Sequence, residues 1–140
     1  MTRKPEIAVS VALIRDGDVL LIERSKGQTL EGLLSLPGGR VGFGETLSAA
    51  AAREIMEEVG VRVEETELRF VTNHQAIYEA FHFVICVFTG KLPENASPIA
   101  GSDAARVLFR PCSEIAGLEA SGETTPELGR IVADCAKLLR

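Results

Sequence analysis

The segment that most restricts what this chain can become lies between Thr46 and Gly60. It reads LSAAAAREIMEEV, dense in alanine and free of glycine and proline. Alanine has no side-chain entropy to lose in a helix, so Thr46 to Val59 is predicted helical, with Thr46 capping its start and Gly60 closing its end. At about 100° per residue, Glu54, Glu57 and Glu58 fall within an arc of roughly 100°. Ala52, Ile55, Met56 and Val59 form the expected packing face, and the short side chains of Ala50 and Ala51 leave room beside the glutamates. Such an arrangement works against the helix. Glu54/Glu57 and Glu54/Glu58 are like charges at neighbour spacing, costing about 0.2–0.5 kcal/mol each. Glu57 and Glu58 also oppose the dipole of the last turn, at roughly 0.3–1 kcal/mol each. Arg53 offsets part of this, and a divalent cation would remove it, since hard cations take carboxylate oxygens. The bland alternative is a solvated acidic face. The preceding loop weighs against that: Pro37-Gly38-Gly39 and Gly42-Phe43-Gly44 let its backbone approach a ligand closely. Glu45 stands at the helix start, where a carboxylate is favoured, and reaches Arg53 only if the loop folds back.

Around this helix the chain reads as strands and loops. Ile7 to Ile14 is rich in β-branched and aliphatic residues, Asp16-Gly17 supplies a hairpin turn, and Val19 to Ile22 is the return strand. Ser25 to Gly32 is a loop, and Leu33 to Leu36 is a short apolar run stopped by Pro37-Gly38-Gly39. Leu68 to Val71 and Ala80 to Thr89 are strands, the second nearly all apolar and so expected to be buried. Lys91 to Ala104 is a long loop and Val107 to Phe109 a short strand. Pro126 to Arg140 is a helix with Leu128, Ile131, Val132, Cys135, Leu138 and Leu139 at helical spacing. Strands and helices mix without regular alternation. The fold class is therefore α/β (α+β), a mixed sheet between helices, in a single domain over residues 1–140.

Composition narrows the function. The 140 residues are 46% hydrophobic and 25% charged, which suits a globular core and not a disordered chain. A net charge of −5 without a basic stripe argues against binding a nucleic-acid polymer, though an acidic protein binds an anionic nucleotide when divalent metal bridges them. No apolar run reaches the ~20 residues of a membrane span, and the N-terminal residues do not read as a signal peptide. Cys86, Cys112 and Cys135 are odd in number and lack a Cys-x-x-Cys, so neither a disulfide framework nor a zinc site is expected, and a cytoplasmic location fits.

Gly39 to Val61, GRVGFGETLSAAAAREIMEEVGV, resembles the Nudix box, Gly-x5-Glu-x7-Arg-Glu-(aliphatic)-x-Glu-Glu-x-Gly-(aliphatic). Gly39, Glu45, Arg53, Glu54, Ile55, Glu57, Glu58, Gly60 and Val61 fill every specified position. Chance agreement is on the order of 10⁻⁹ per starting point at average residue frequencies. The resemblance implies a mixed sheet sandwiched between helices, with the box as loop-helix-loop. It implies that Glu54, Glu57 and Glu58 bind a metal, Mg²⁺ with Mn²⁺ as substitute, and that Glu54, Glu57 and Arg53 serve catalysis. Arg53 would orient the glutamates, with Glu45 supporting it, while Gly39 and Gly60 shape the loop and the helix end. The implied reaction is Mg²⁺-dependent hydrolysis of a phosphoanhydride in a small nucleotide. The first expectation is a nucleoside diphosphate linked to another moiety, such as ADP-ribose, a nucleotide sugar or a dinucleotide. The alternatives are a nucleoside triphosphate pyrophosphatase and a non-catalytic nucleotide sensor. A homodimer is open to it, as to many relatives.

Roles outside the box are less fixed. A water-activating base can be a box glutamate or a residue from a distant loop, with Asp103, Glu114, Glu119 and Glu123 as candidates. Arg24, at the end of the second strand, is a candidate for a substrate phosphate. Tyr78 lies where some dinucleoside polyphosphate hydrolases carry a tyrosine, and His74 and His82 flank the same segment. Many relatives place an aromatic residue where this chain has Leu34. A base-stacking platform must therefore come from Phe43, Phe70, Tyr78, Phe81 or another of the few aromatics, for each of which core packing is the default.

Overall fold

The computed structural model describes residues 3–101 and 103–140. Its centre is a mixed seven-stranded sheet. Strands β1 (Glu6–Arg15) and β2 (Asp18–Arg24) form a hairpin through Asp16-Gly17, both with positive φ, as the turn chemistry predicts. β3 (Leu34–Ser35) pairs with the end of β2, and β4 (Gly38–Arg40) pairs with the start of β1. Helix α1 (Leu47–Val59) follows, then β5 (Arg69–Ile77), β6 (His82–Lys91) and β7 (Ala104–Pro111), and finally α2 (Ile115–Ala120) and α3 (Leu128–Leu138). β6 runs parallel to β1 along its whole length, β5 is the edge beyond β6, and β7 pairs antiparallel with β2.

Both faces of the sheet are covered, which is why its central strands are apolar on both sides. Val9, Val11, Leu13, Leu20 and Ile22 point to α1 and meet Ala50, Ala51, Ile55 and Val59. Ala12, Val19, Leu21 and Val87 point the other way and meet Ile115, Leu128, Ile131, Val132 and Cys135. Ile55 and Val59 are wholly buried, a gain of about 1.5–3 kcal/mol each. The three cysteines are free. No helix among the described residues is long and apolar enough to cross a membrane.

Several sequence expectations need correction. Ala50 and Ala51 do not leave open space; both are fully buried, while Met56 is 44% exposed. Helix α1 is therefore rotated so that the stripe 50/51, 54/55, 58/59 faces inward. β6 is not buried throughout: His82 to Cys86 are half-buried and only Val87 to Gly90 are covered. β5 and β7 are longer than expected. β4 was hidden in what reads as a turn, since Gly38 and Gly39 pair with Ser10 and Val9. α2 is a further element that the sequence pattern does not announce.

Candidate active site

Helix α1 is set by local chemistry at both ends. Thr46 Oγ1 accepts the Ala49 N–H at 3.2 Å. Gly60 takes a left-handed conformation (φ 67°) and donates its N–H to the Met56 carbonyl, which closes the helix. Within these bounds Glu54 and Glu58 turn inward, 9% and 5% exposed, while Glu57 stays exposed.

Arg53 is the hub of the box. Its Nε donates to Glu45 Oε2 at 2.7 Å and its Nη2 to Glu45 Oε1 at 2.9 Å, a bidentate fork. Nη2 also reaches the Arg40 carbonyl at 2.9 Å, which ties the helix to β4. Nη1 donates to Glu54 Oε1 at 2.8 Å and to both Glu57 oxygens at 3.1 and 3.2 Å. The loop does fold back: Glu45 Oε1 also accepts the Gly42 N–H at 2.8 Å. Glu45 thus serves Arg53 and Gly42, not the helix N-terminus, which Thr46 already caps. These bonds hold the Glu45 carboxyl at about 2, first through Arg53 and then through Gly42. The same carboxylates raise Arg53 above its ordinary value, Glu45 foremost.

Glu58 is the opposite case. Its Oε2 is buried with no hydrogen-bond partner among the described residues. Burial first, then the charges of Glu54 and Asp103, push its carboxyl up to about 7. Burial also raises Glu54, against the pull of Arg53. Gly39 packs so tightly on Glu54 that a Cβ there would fall on the carboxylate.

Gly39, Glu54, Glu57 and Glu58 line one cleft of about 790 Å³, within the usual size of a small-molecule site, whereas Arg53 and Glu45 do not line it. Arg24 and Asp103 sit on its wall, brought together because β7 pairs with β2 in a register that sets Ala104 opposite Arg24. Arg24 donates to the Thr29 carbonyl and to Thr29 Oγ1, and burial lowers its pKa, opposed by Glu58 and Asp103. The loop before Asp103 is clipped to the end of α1: Ile99 N–H donates to the Val59 carbonyl, and Gly101 N–H to that of Glu58 at 2.7 Å. A Cβ at Gly101 would strike the Glu57 carbonyl oxygen. His74 and Tyr78 line the cleft from β5 and its turn, whereas His82 does not. Glu114 and Glu123 lie outside it. Glu119 is outside too, its two oxygens accepting the N–H groups of Glu127 and Gly129 at the start of α3.

Residues 4–133 match the sequence model of the NUDIX domain. The chain belongs to the Nudix family. Among Nudix relatives, an 8-oxo-dGTP diphosphatase of Haemophilus influenzae is 37% identical over 82 residues, 57% of this chain and 54% of that protein. An ADP-ribose pyrophosphatase of Methanocaldococcus jannaschii is 44% identical over 57 residues, 41% of this chain and 33% of that protein. The chain thus spans about half or less of these relatives. A MutT protein from Methanosarcina mazei superposes with a TM-score of 0.83 over 100% of this chain and 99% of its own, at 21% identity. That likeness establishes the Nudix fold, with the box as its loop-helix-loop.

The chemistry of the Nudix box residues fits a divalent cation. A buried carboxylate oxygen without a donor, beside a second buried carboxylate, is a poor resting arrangement for anions and a good one for a hard cation. Among the described residues no three acidic, histidine or cysteine side chains converge as a ready-made cation cage. Arg53 accounts for this, because its Nη1 draws Glu54 and Glu57 to itself.

Proposed function

We propose that this chain hydrolyses a phosphoanhydride bond in a nucleoside diphosphate linked to a second moiety, using a divalent cation, Mg²⁺ by preference. The observation that carries the reading is the buried Glu58 carboxylate oxygen, without a partner among the described residues, next to Glu54 and Glu57 in an open cleft. A cation held by Glu54, Glu57 and Glu58 would neutralise phosphate oxygens and acidify a water for in-line attack. The protein's own groups do the rest. Glu45 fixes Arg53, and Arg53 holds the Glu54 and Glu57 carboxylates beside one another. Arg24, half-buried and anchored on Thr29, offers its remaining N–H groups to a phosphate. The oxygen of the water bonds to phosphorus, the bond from phosphorus to the bridging oxygen breaks, and the water's proton passes to a carboxylate. Asp103 is our assignment for that acceptor: of the four candidate acids, Asp103, Glu114, Glu119 and Glu123, it alone lines the cleft.

The diphosphate-linked class is favoured because the cleft is large for a small-molecule site, about 790 Å³, and is lined by uncharged side chains such as Tyr78 and Phe81 as well as by the glutamates. A triphosphate is the second reading, supported by the relatives named as 8-oxo-dGTP diphosphatases. The three free thiols suit a reducing cytoplasm.

The test is product release from a panel of nucleoside diphosphate derivatives and triphosphates, with Mg²⁺, Mn²⁺ or chelator, for the wild type and Glu57→Gln. Metal-dependent turnover that Glu57→Gln abolishes supports the hydrolase, and the best substrate fixes the class. No turnover on any compound, with a nucleotide still raising the melting temperature, would replace the enzyme with a sensor.

A further inference from the structure

Three of the chain's seven aromatic side chains, Tyr78, Phe81 and Phe83, line the cleft. They form a continuous series at the β5–β6 turn, where the Tyr78 N–H donates to the Phe81 carbonyl at 2.8 Å. The Tyr78 and Phe81 ring centroids are 4.7 Å apart, and those of Phe81 and Phe83 are 5.6 Å apart. The Arg40 guanidinium stands 5.6 Å from the centre of the Phe83 ring. Arg40 follows Gly39, and Gly39 lies against the Glu54 carboxylate. One unbroken series of contacts therefore leads from buried carboxylates, past a cation, to a row of aromatic rings.

We propose that Phe83, Phe81 and Tyr78 seat the nucleobase, with the nucleoside end of the substrate toward the β5–β6 turn and its phosphates running past Arg40 to the glutamates. This assignment rests on the hydrolase reading and adds to it a direction for the substrate. The sequence of chemistries along the cleft is the sequence along a nucleotide: anionic phosphate needing cations, then a flat uncharged ring. Core packing does not account for the row. Tyr78 is 37% exposed, and Phe81 and Phe83 are half-buried, whereas the aromatic ring that closes the core, Phe88, is covered. Arg40 is held by Glu6 at 3.3 Å in a solvent-exposed pair, which contributes little, so a phosphate can displace that partner. Phe43 and Phe70, the other aromatics open to solvent, do not line the cleft.

The composition supplies a direct probe. The chain has no Trp and one Tyr, so tyrosine emission reports Tyr78 alone. Nucleoside 5′-monophosphates are titrated into the wild-type protein, with free N-acetyltyrosinamide correcting for absorption, and ribose 5-phosphate serves as a phosphate without a base. Saturable quenching by the nucleotides and none by ribose 5-phosphate is expected. Phe81→Ala, and Phe81→Leu as a version that keeps more of the packing, should each raise KM about tenfold and leave kcat within about twofold. Equal quenching by ribose 5-phosphate, nucleotide binding without quenching, or an unchanged KM in both variants overturns the seat. In each of those cases continued metal-dependent turnover by the wild type leaves the hydrolase reading standing. Its absence on every substrate sinks that reading independently.

Discussion

The α-carbon of Gly39 lies where any added methyl would fall on the carboxylate of Glu54. A strand, β4, and the side of helix α1 are thereby in van der Waals contact through the smallest residue and a buried carboxylate. Gly39→Ala should keep the fold, since the colliding atoms belong to a side chain that can turn away. The displacement should cost about 1–3 kcal/mol of stability and lower metal affinity at least about tenfold. Thermal melts with and without Mg²⁺ check this; equal metal-induced shifts in both proteins would refute it.

Glu45 and Arg53 give an acid-side prediction. The folded Glu45 carboxyl sits at about 2, below its ordinary 4.5. A depressed carboxyl contributes stability that is fully present above about 4.5 and is lost as pH falls toward about 2. The stability gap between the wild type and Glu45→Gln should therefore be constant above that window and close within it. Urea unfolding at a series of pH values reads the gap, and a gap that persists at the acid end would disconnect Glu45 from the effect.

Glu58 behaves in the reverse sense. Its carboxyl is raised from 4.5 to about 7, so metal-free protein is favoured below about 4.5 and loses that contribution as pH rises through about 7. Glu58→Gln should flatten this loss and stabilise the metal-free protein by on the order of 1 kcal/mol near neutral pH, because an unpaired buried charge is gone. Saturating Mg²⁺ should flatten it in the wild type but not stabilise the variant to the same extent. Identical pH profiles for both metal-free proteins would exclude Glu58 as the cause.

Asp103 and Glu119 separate chemistry from architecture. Asp103→Asn should lower kcat by about 10²–10⁴ with little change in KM or melting temperature. Glu119→Gln should leave the rate alone and cost about 1 kcal/mol, since two N–H groups at the start of α3 lose a charged acceptor. Reversed results would move the proton acceptor away from Asp103.

Much of this was readable from residues because the signals are local. Thr46, Gly60 and Asp16-Gly17 each act within a few residues, and their elements stand where the sequence put them. The reach from Glu45 to Arg53 was legible as a possibility of spacing. The rotation of α1 was not: an arc of three glutamates shows which residues share a side, but not which side meets the sheet. Ala50 and Ala51 face the core because small residues let the helix approach closely, and that carries Glu54 and Glu58 under cover. β4 carries no local signal, since its pairing partner is about thirty residues away in sequence and Pro37-Gly38-Gly39 has the local signature of a turn. Asp103 had no mark against three other acids; the β2–β7 register, a long-range property, is what puts it on the cleft wall.

The clip between Gly101 and the Glu58 carbonyl means that Asp103 shares a mounting with the box helix, although more than forty residues separate them. A substitution that shifted the end of α1 should therefore disturb the stretch leading to Asp103 together with Glu58. The β5–β6 turn, which also lines the cleft, has an anchor of its own, the Arg3 to Glu79 carbonyl bond, so the two parts of the cleft are held by different ends of the sequence.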